Sequence, residues 1–229
     1  TGHITFEETV ALAEKWFSPI PRRHVPRRSL PMEPMQTEER RLTVERNVPV
    51  DALYMAFHMC SRNHPDYYAF DMLSDLLSSG RSSRFVQHLV QDKQIFNSID
   101  AYISGSIDNG LFHIVGKPAP EKTLEEAEKA IWEELALLTE GSIDENELEK
   151  VKNRYESEQI FNNLNYLNVA TNLAYFELIG KAEDINTEVE KYRSVTQEQI
   201  KRAAKQTFLP ENCSVLYYKA AAKGASHTP

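Results

Sequence analysis

The tightest group of side chains that could bind a metal ion is His58-x-Cys60-x-x-x-His64. If residues 54–60 form a strand, His58 and Cys60 share one face, because side chains alternate along a strand. With His64 curling back from the next helix, the group would offer three ligands and an open fourth position, as in catalytic zinc sites. No glutamate is placed as a base, and the spacing matches no specific metal motif. The pattern therefore favours a strand end with a partly exposed histidine and a buried cysteine.

Other titratable residues give no clearer site. His88, on a short predicted helix, and His113, in a predicted strand, have no sequence neighbour that would orient them for catalysis, so both are interpreted as structural. The acidic runs at 121–134 and 144–149 are interpreted as solvated helix faces. They provide no pair of carboxylates for acid–base chemistry.

The segment S-S-G-R-S-S-R at 78–84 combines hydroxyls, a glycine and two arginines, a composition that suggests phosphate binding. It lacks the G-x-x-x-x-G-K-[ST] pattern, and its glycine follows a helix rather than a strand. We therefore interpret it as a helix C-cap at Gly80 followed by an N-cap at Ser82 or Ser83.

The bulk composition excludes some function classes. The 229 residues are 41% hydrophobic and carry a net charge of −8, which argues against nucleic acid because phosphate binding needs clustered Lys and Arg. No apolar run approaches the roughly 20 residues of a membrane span. Cys60 and Cys213 fit no CxxC spacing; a disulfide is one reading and two buried free thiols the favoured one. No signal peptide is seen, but the chain starts at Thr1 without Met, so a targeting segment could precede it.

Hydrophobic periodicity and turn residues predict the elements that position these side chains. Strands are predicted at 42–48, 54–59, 95–104, 111–115 and 214–218, with Asp108-Asn109-Gly110 as a hairpin turn. Helices are predicted from Thr5 to Ser18, from an Asp66 cap, at 82–91, from 124, from a cap of Ser142 with Glu145, at 168–179 and at 196–208. The order suits an α+β fold with a mixed, largely antiparallel sheet and helices packed on one face.

Two helical segments are similar at an offset of 191 residues. Thr5, Ala13 and Phe17 align with Thr196, Ala204 and Phe208, and both segments end at an aromatic-x-Pro stop. One explanation is that amphipathic helices resemble one another. The favoured explanation is a duplicated unit of nearly 200 residues, of which the chain holds only the last helix of the first copy and the whole second copy.

The expected domain organisation follows from this duplication. Residues 1–18 are the final helix of a truncated preceding domain, and the proline-rich residues 19–40 are a linker. Residues 41–219 form the second copy, and 220–229 are a tail.

Several segments, taken in order, resemble a known family. P-D-Y-Y-A at 65–69 leads through a helix to G-R-S-S-R-F at 80–85. A-E-K-W-F-S-P-I-P at 13–21, N-G-L-F-H-I at 109–114 and S-I-D-E-N-E-L-E-K-V-K-N at 142–153 fit the same family. Together they resemble the C-terminal, non-metal half of the pitrilysin/insulinase zinc metallopeptidases (inverted zincins), which include the mitochondrial processing peptidases.

The resemblance implies duplicated α+β units that close around a substrate peptide. In that family the first unit carries H-x-x-E-H, with two His and one Glu for zinc and a Glu base. No such motif occurs in this chain. The resemblance therefore implies that zinc is bound in an N-terminal half before Thr1, and that residues 41–219 are an inactive-type peptidase domain.

One departure from the family pattern concerns the substrate. Active members offer in this half an Arg and, seven residues later, a Tyr that stabilise the substrate carbonyl, whereas the aligned positions here are Val90 and Asn97. Val90 cannot donate a hydrogen bond, so help of the oxyanion-hole type is missing. The segment 80–94 and the strand 95–104 are expected to line the substrate chamber, with Val90, Asn97 and Arg84 as its positions and with no catalytic residue and no metal ligand. A second subunit of the family is the expected source of an Arg and Tyr.

The expected function is thus the substrate-enclosing, non-catalytic half of a zinc-dependent endopeptidase subunit acting on peptides. Its expected partners are the peptide, its own N-terminal half and a second family subunit. Two alternatives stay open. One is a scaffold or assembly subunit of the same family without catalysis, and the other is an unrelated α+β binding module.

Overall fold

The computed structural model describes residues 1–24, 31, 33–105 and 107–221. Residues 25–30 and 32 of the predicted linker, and 222–229 of the predicted tail, lie outside this range. Within the described part, no helix is long and apolar enough to cross a membrane. By internal contacts the chain divides into one unit made of Thr1–Met35 and Glu158–Ile185, and another made of Gln36–Ser157 and Asn186–Pro229. We call them the helical unit and the sheet unit.

The sheet unit is built on five strands in the order β1-β5-β2-β4-β3. The strands are β1 Arg40–Arg46, β2 Ala52–Ser61, β3 Phe96–Ser104, β4 Asn109–Pro118 and β5 Cys213–Ala220. β1 and β5 are parallel, whereas β2 pairs antiparallel with both β4 and β5, and β3 pairs antiparallel with β4. The predicted α+β fold with a mixed, largely antiparallel sheet is confirmed.

Helices of the sheet unit cover one face of this sheet. The described helices of the whole chain are α1 Phe6–Phe17, α2 Tyr67–Ser78, a π-helix Phe85–Asp92, α3 Leu124–Glu140, α4 Glu145–Asn162, α5 Tyr166–Ile179, α6 Glu188–Arg193 and α7 Gln197–Thr207, of which α1 and α5 belong to the helical unit. Along β2, Leu53, Met55 and Phe57 are buried, while Tyr54 on the opposite face is 40% exposed. Phe57 meets Trp132 of α3 and Phe208 after α7 at ring-centroid distances of 5.7 and 5.1 Å. The core of the sheet unit therefore lies between the sheet and helices such as α3 and α7. We call the opposite face of the sheet, on which Tyr54 is exposed, the open face.

The helical unit has little interior. Helix α1 begins with a complete capping box, in which Thr5 Oγ1 accepts from the Glu8 N–H and Glu8 accepts from the Thr5 N–H. No residue of α1 is buried, and in α5 only Phe176 is. Large apolar side chains such as Phe6 and Phe161 are more than 70% exposed.

Several predicted caps and turns are corrected by long-range contacts. Asp66 stands at the N-cap of α2 but makes no capping bond, because its carboxylate pairs with Arg202. Helix α4 is capped by Asp144, which accepts from the Asn146 N–H at 2.7 Å, and not by Ser142. The predicted turn residues Asn109 and Gly110 already belong to β4.

Two segments differ in type from the prediction. The helix predicted at 82–91 is the π-helix Phe85–Asp92, closed by a bond from the Lys93 N–H to the His88 carbonyl at 3.0 Å. Its start is not capped by Ser82 or Ser83, since the Ser83 hydroxyl donates back to the Gly80 carbonyl. Gly80 itself follows the end of α2 with φ 90°, the left-handed conformation that a glycine after a helix adopts readily. The 3₁₀ turn Ala182–Thr187 and helix α6 were not predicted.

Candidate functional site

A cavity of about 570 Å³ opens at the start of edge strand β3. Both Val90, on the π-helix, and Asn97, on β3, line it, so the fold brings these two predicted positions to one place. Asn97 is exposed and carries an amide that can donate or accept, whereas Val90 is half-buried and offers only methyl groups. The pair can position a ligand, but it has no group that could attack or protonate one.

Two loops form the walls of this cavity. One joins the π-helix to β3, and the Ile95 N–H there bonds the Leu89 carbonyl at 2.8 Å. The other follows β4, and its Ala119 N–H bonds the Ile95 carbonyl at 2.8 Å, which ties the two loops together. Phe96 anchors the base at 2% exposure, and its ring lies so close to Gly116 that a Cβ there would be 2.4 Å away.

Each of the two loops holds a non-glycine residue in the left-handed region. Gln94 has φ 50° and Glu121 has φ 71°, and both side chains line the cavity. For such residues this conformation costs roughly 1–2 kcal/mol each, and it persists only where the surrounding structure enforces it. Strain of this kind is concentrated at binding and catalytic sites, and this cavity collects both described cases in the chain.

The charged residues of the cavity are Lys93, Lys122 and Glu121. Lys93 lies in the predicted chamber segment 80–94 but was not singled out, and Lys122 and Glu121 were not predicted. Lys93 and Lys122 lie on opposite sides of the β3–β4 hairpin and come together only when those strands pair. The hairpin predicted at 108–110 indicated that these strands pair, but it did not indicate the course of the chain beyond Pro118. The nearest hint in the sequence is Pro120, which marks a turn directly before Glu121.

Arg84, the third predicted chamber position, does not line this cavity. Its side chain is nearly buried, donates to Glu147 at 2.8 and 3.3 Å and also donates to the Ser142 carbonyl at 3.2 Å. Burial raises the pKa of Glu147, but the hydrogen bonds and charge of Arg84 outweigh it and hold that pKa below its usual value. The structure therefore uses Arg84 to fasten the start of α4.

The sequence around His58, Cys60 and His64 raised a metal site as one alternative. His64 Nδ1 accepts from the Asp66 N–H at 3.1 Å, so this ring nitrogen serves the start of α2. Burial, with the nearby charge of Asp66, raises the pKa of Cys60 to about 11, which keeps the thiol protonated and a weak ligand at neutral pH. Among all described residues no group of at least three His, Cys, Asp or Glu side chains is arranged to hold a metal ion. Cys60 and Cys213 are both free.

The two lone histidines also have structural neighbours. His88 Nδ1 lies 2.9 Å from Oε1 of the buried Glu134. On the open face of the sheet, His113 stacks on Tyr102, and its Nε2 lies 3.0 Å from Ser104 Oγ. Burial lowers the pKa of His113, so the ring is neutral at neutral pH. Among the described residues, no carboxylate is hydrogen-bonded to the other ring nitrogen of His113. Ser104 and His113 therefore lack the third member of a catalytic triad.

Comparisons with known proteins identify the family to which this chain is similar. The family described as peptidase M16 inactive domain matches residues 1–155. The chain is 24% identical to the uncharacterized zinc protease YmxG of Bacillus subtilis over 85% of its own length and 47% of that protein. It is 22% identical to the zinc protease PqqE of Helicobacter pylori over 95% of its length and 50% of that protein. The chain thus spans about half the length of the curated relatives it matches.

Solved structures show the same fold. A protease from Helicobacter pylori superimposes with a TM-score of 0.86 at 21% identity, over 94% of this chain and 53% of that one. The similarity also reaches a chain of the structure described as Complex III2 from Candida albicans, with a TM-score of 0.66 at 18% identity, over 80% of this chain and 46% of that one. The family match covers more than half of the chain, and the motifs of the pitrilysin/insulinase metallopeptidases run through it in order. The chain belongs to the family of peptidase M16 inactive domains.

Proposed function

We propose that this chain is the substrate-enclosing, non-catalytic half of a zinc-dependent endopeptidase subunit that acts on peptides. The observation that carries the proposal is the match of residues 1–155 to an inactive peptidase domain, in a chain half as long as relatives named zinc proteases. In this proposal the zinc and its base lie in the other half of the protein. This half supplies a wall of the chamber.

The cavity at the start of β3 supports the proposal. Val90 and Asn97 line one cavity, whose described lining contains no Ser, Thr, Cys or His that could act as a nucleophile, and this cavity can hold part of a peptide. The positions that stabilise a substrate carbonyl in active members are occupied by a methyl-bearing side chain and an amide, so this half adds little electrostatic help to the reaction. We therefore assign that help to a second family subunit, which supplies the Arg and Tyr.

The proposal is tested by site-specific cross-linking in the natural gene product purified from its host. A photo-reactive amino acid at Asn97 should capture a peptide substrate. The same group at Lys129, whose side chain is 79% exposed on α3 and outside the cavity, should capture little. Metal analysis on the same protein should find zinc in proportion to H-x-x-E-H motifs outside this chain. Stoichiometric zinc on the present chain alone, or equal capture at both positions, would refute the proposal.

The same preparation tests the partner subunit. We expect peptidase activity to follow co-purification of a second family member and to disappear when the two are separated. Full activity of the natural protein as an isolated monomer would contradict this part of the proposal and leave the enclosing role intact.

A second function is supported by one observation, the structural similarity to a chain of Complex III2. Under it, the protein is a family member that has lost catalysis and serves as an assembly subunit. The two functions differ in an observable way. A scaffold would lack H-x-x-E-H in its other half, would show no peptidase activity and would co-purify with a stable multi-subunit complex.

A further inference from the structure

The cavity at the start of β3 has a charge opposite to that of the molecule. The chain carries a net charge of −8, yet the charged residues lining this cavity are Lys93 and Lys122 against Glu121. A local excess of positive charge in an acidic protein attracts anionic groups selectively, because acidic surfaces elsewhere repel them. The charges lining this cavity favour an anionic ligand over a neutral or cationic one.

The ammonium groups are available to a ligand. Lys93 Nζ lies 3.4 Å from Glu133, but both side chains are largely exposed, and a pair of this kind contributes little free energy. Glu133 is also shared with Lys129, at 3.9 Å. Among the described residues, the Lys122 side chain has no ion-pair partner and no hydrogen-bond partner. Lys122 is therefore the cation best placed to meet a ligand, with Lys93 second.

The backbone around these lysines is held in place before any ligand arrives. The left-handed residues Gln94 and Glu121 lie next to Lys93 and Lys122 in sequence, and the Ala119–Ile95 hydrogen bond joins their loops. A preorganised site loses less conformational entropy on binding than a flexible one. The exposed amide of Asn97 adds a hydrogen-bond donor beside the two cations.

We infer that this cavity binds a carboxylate of the peptide, either an acidic side chain or the C-terminal carboxylate, through Lys122 and Lys93 with Asn97 as a hydrogen-bond donor. The inference rests on the proposed function, since the ligand is the enclosed peptide. It adds a substrate class to the proposed function. In place of a carbonyl-stabilising pair, this site offers cations that recognise a negatively charged group of the peptide. β3 is an edge strand of the described sheet and begins at this cavity, so an extended peptide can lie beside it.

Binding to the ¹⁵N-labelled chain, measured by NMR titration, tests the inference with three alanine-based peptides of equal length. One is acetylated and amidated and therefore neutral, the second has one internal aspartate, and the third has a free C-terminal carboxylate. We expect the aspartate peptide, the free-acid peptide or both to shift the backbone amides of Asn97 and Lys122. We expect the neutral peptide to bind at least about threefold more weakly, and the difference to shrink with added salt.

Charge variants sharpen the assignment. Lys122→Gln should weaken binding of the carboxylate peptides about threefold to tenfold, and Glu121→Gln should strengthen it about threefold. Lys129→Gln is the matched control, since it removes a lysine that shares Glu133 with Lys93 but lies outside the cavity, and it should change binding by less than about twofold.

The outcomes separate the inference from the proposed function. Binding of one carboxylate peptide but not the other identifies the source of the carboxylate. If all three peptides shift Val90 and Asn97 equally and Lys122→Gln has no effect, the carboxylate site is refuted while the enclosing role stands. The inference is also refuted if acetate binds with the same affinity as the carboxylate peptides, or if no peptide shifts these amides. The cross-linking result then decides the enclosing role separately.

Discussion

Helices α1 and α7 begin with the same device and end in opposite environments. Each is opened by a complete capping box, from Thr5 in α1 and from Thr196 in α7. The aligned aromatic residues at the C-terminal ends of the two repeated segments differ in exposure, since Phe208 is 7% exposed and Phe17 is 69% exposed. Phe208 packs against Phe57 and Phe112 with ring centroids 5.1 Å away in each case.

The difference separates what forms a helix from what buries it. Caps and periodicity are local, so both segments become helices wherever they stand. Burial needs a partner surface, which the sheet gives to α7 through Ile200, Ala203 and Ala204, whereas no residue of α1 is buried. If the two helices are corresponding parts of a duplicated unit, the apolar face of α1 is the one that a preceding copy would cover.

The largest expected effect breaks the comparison at its aromatic ends. Phe208→Ala should lower the free energy of unfolding by about 3 kcal/mol, because it removes a buried ring that contacts two others. Phe17→Ala should lower it by less than about 0.5 kcal/mol, because the ring is exposed. Urea denaturation followed by circular dichroism measures both. Equal losses in the two variants would mean that α1 is buried in solution, contrary to the structure.

The next effect concerns the aligned alanines. Ala204→Leu should destabilise the chain by about 1–3 kcal/mol, since Ala204 is fully buried and added methylene groups overpack a core. Ala13→Leu, on exposed α1, should be neutral within about 0.5 kcal/mol. Thermal unfolding of the two variants, side by side, measures the difference. A destabilising Ala13→Leu would show that α1 has a close neighbour.

The caps themselves should matter less, and in different ways. Thr196→Ala should cost about 1 kcal/mol of global stability, because α7 is part of the core. Thr5→Ala removes the same kind of bond, yet it should only speed amide exchange in the first turn of α1 and leave the unfolding midpoint unchanged. Hydrogen exchange at Glu8 and at Gln199, whose N–H groups bond the two threonines, reads out the local effects. Restoring the cap with serine should reverse both.

The smallest expected effect is a pH dependence that should arise in only one of the two capping boxes. It should arise at Glu8, the N3 residue of the box opened by Thr5. Hydrogen bonds from the Thr5 backbone and hydroxyl lower the pKa of Glu8, whereas Gln199 in the second box does not titrate. A carboxylate with a lowered folded-state pKa stabilises above its ordinary value of 4.5, and this contribution is lost as the pH falls through the lowered value. The first turn of α1 should therefore fray in acid.

NMR shifts of the Thr5 amide between about pH 6 and about pH 3 measure this fraying. Glu8→Gln is the control and should abolish the pH dependence while keeping a capping box. Glu198 beside the second box also has a lowered pKa, caused by its backbone hydrogen bond and by Thr196, so the comparison is made at the N3 side chain itself. An unchanged titration in Glu8→Gln would show that another group causes the fraying.

The sequence predicted most of the fold because the relevant signals are local. Alternating apolar residues predicted the strands, and the threonine boxes at Thr5 and Thr196 are both present. The N-cap predicted at Asp66 was wrong because the Asp66 carboxylate pairs with Arg202, which lies 136 residues away in the sequence. The π-helix could not be told from an α-helix by an apolar pattern, since the change from i−4 to i−5 bonding leaves the types of buried residue nearly the same.

The site shows the same division. Val90 and Asn97 were predicted as chamber positions by alignment to a family motif, and both line one cavity. Lys122 was not predicted, because it lies beyond the end of β4 in a loop whose course the predicted hairpin does not determine. Arg84 was chosen for its type and motif position, but its guanidinium is fastened to Glu147 away from the cavity. Residue type and spacing identify groups on one element, while encounters between elements depend on pairing and packing.

The position of β5 in the sheet has a consequence for how the protein is made. The strand formed by Cys213–Ala220 lies between β1 and β2, and β1 pairs with no other strand in the sheet. During synthesis the ribosome must therefore release almost the whole sheet unit before the central position is filled. Until β5 is in place, β1 has no strand to pair with and one edge of β2 is unpaired. Unpaired strand edges promote aggregation and chaperone binding. This topology makes completion of the sheet depend on the release of β5 from the ribosome.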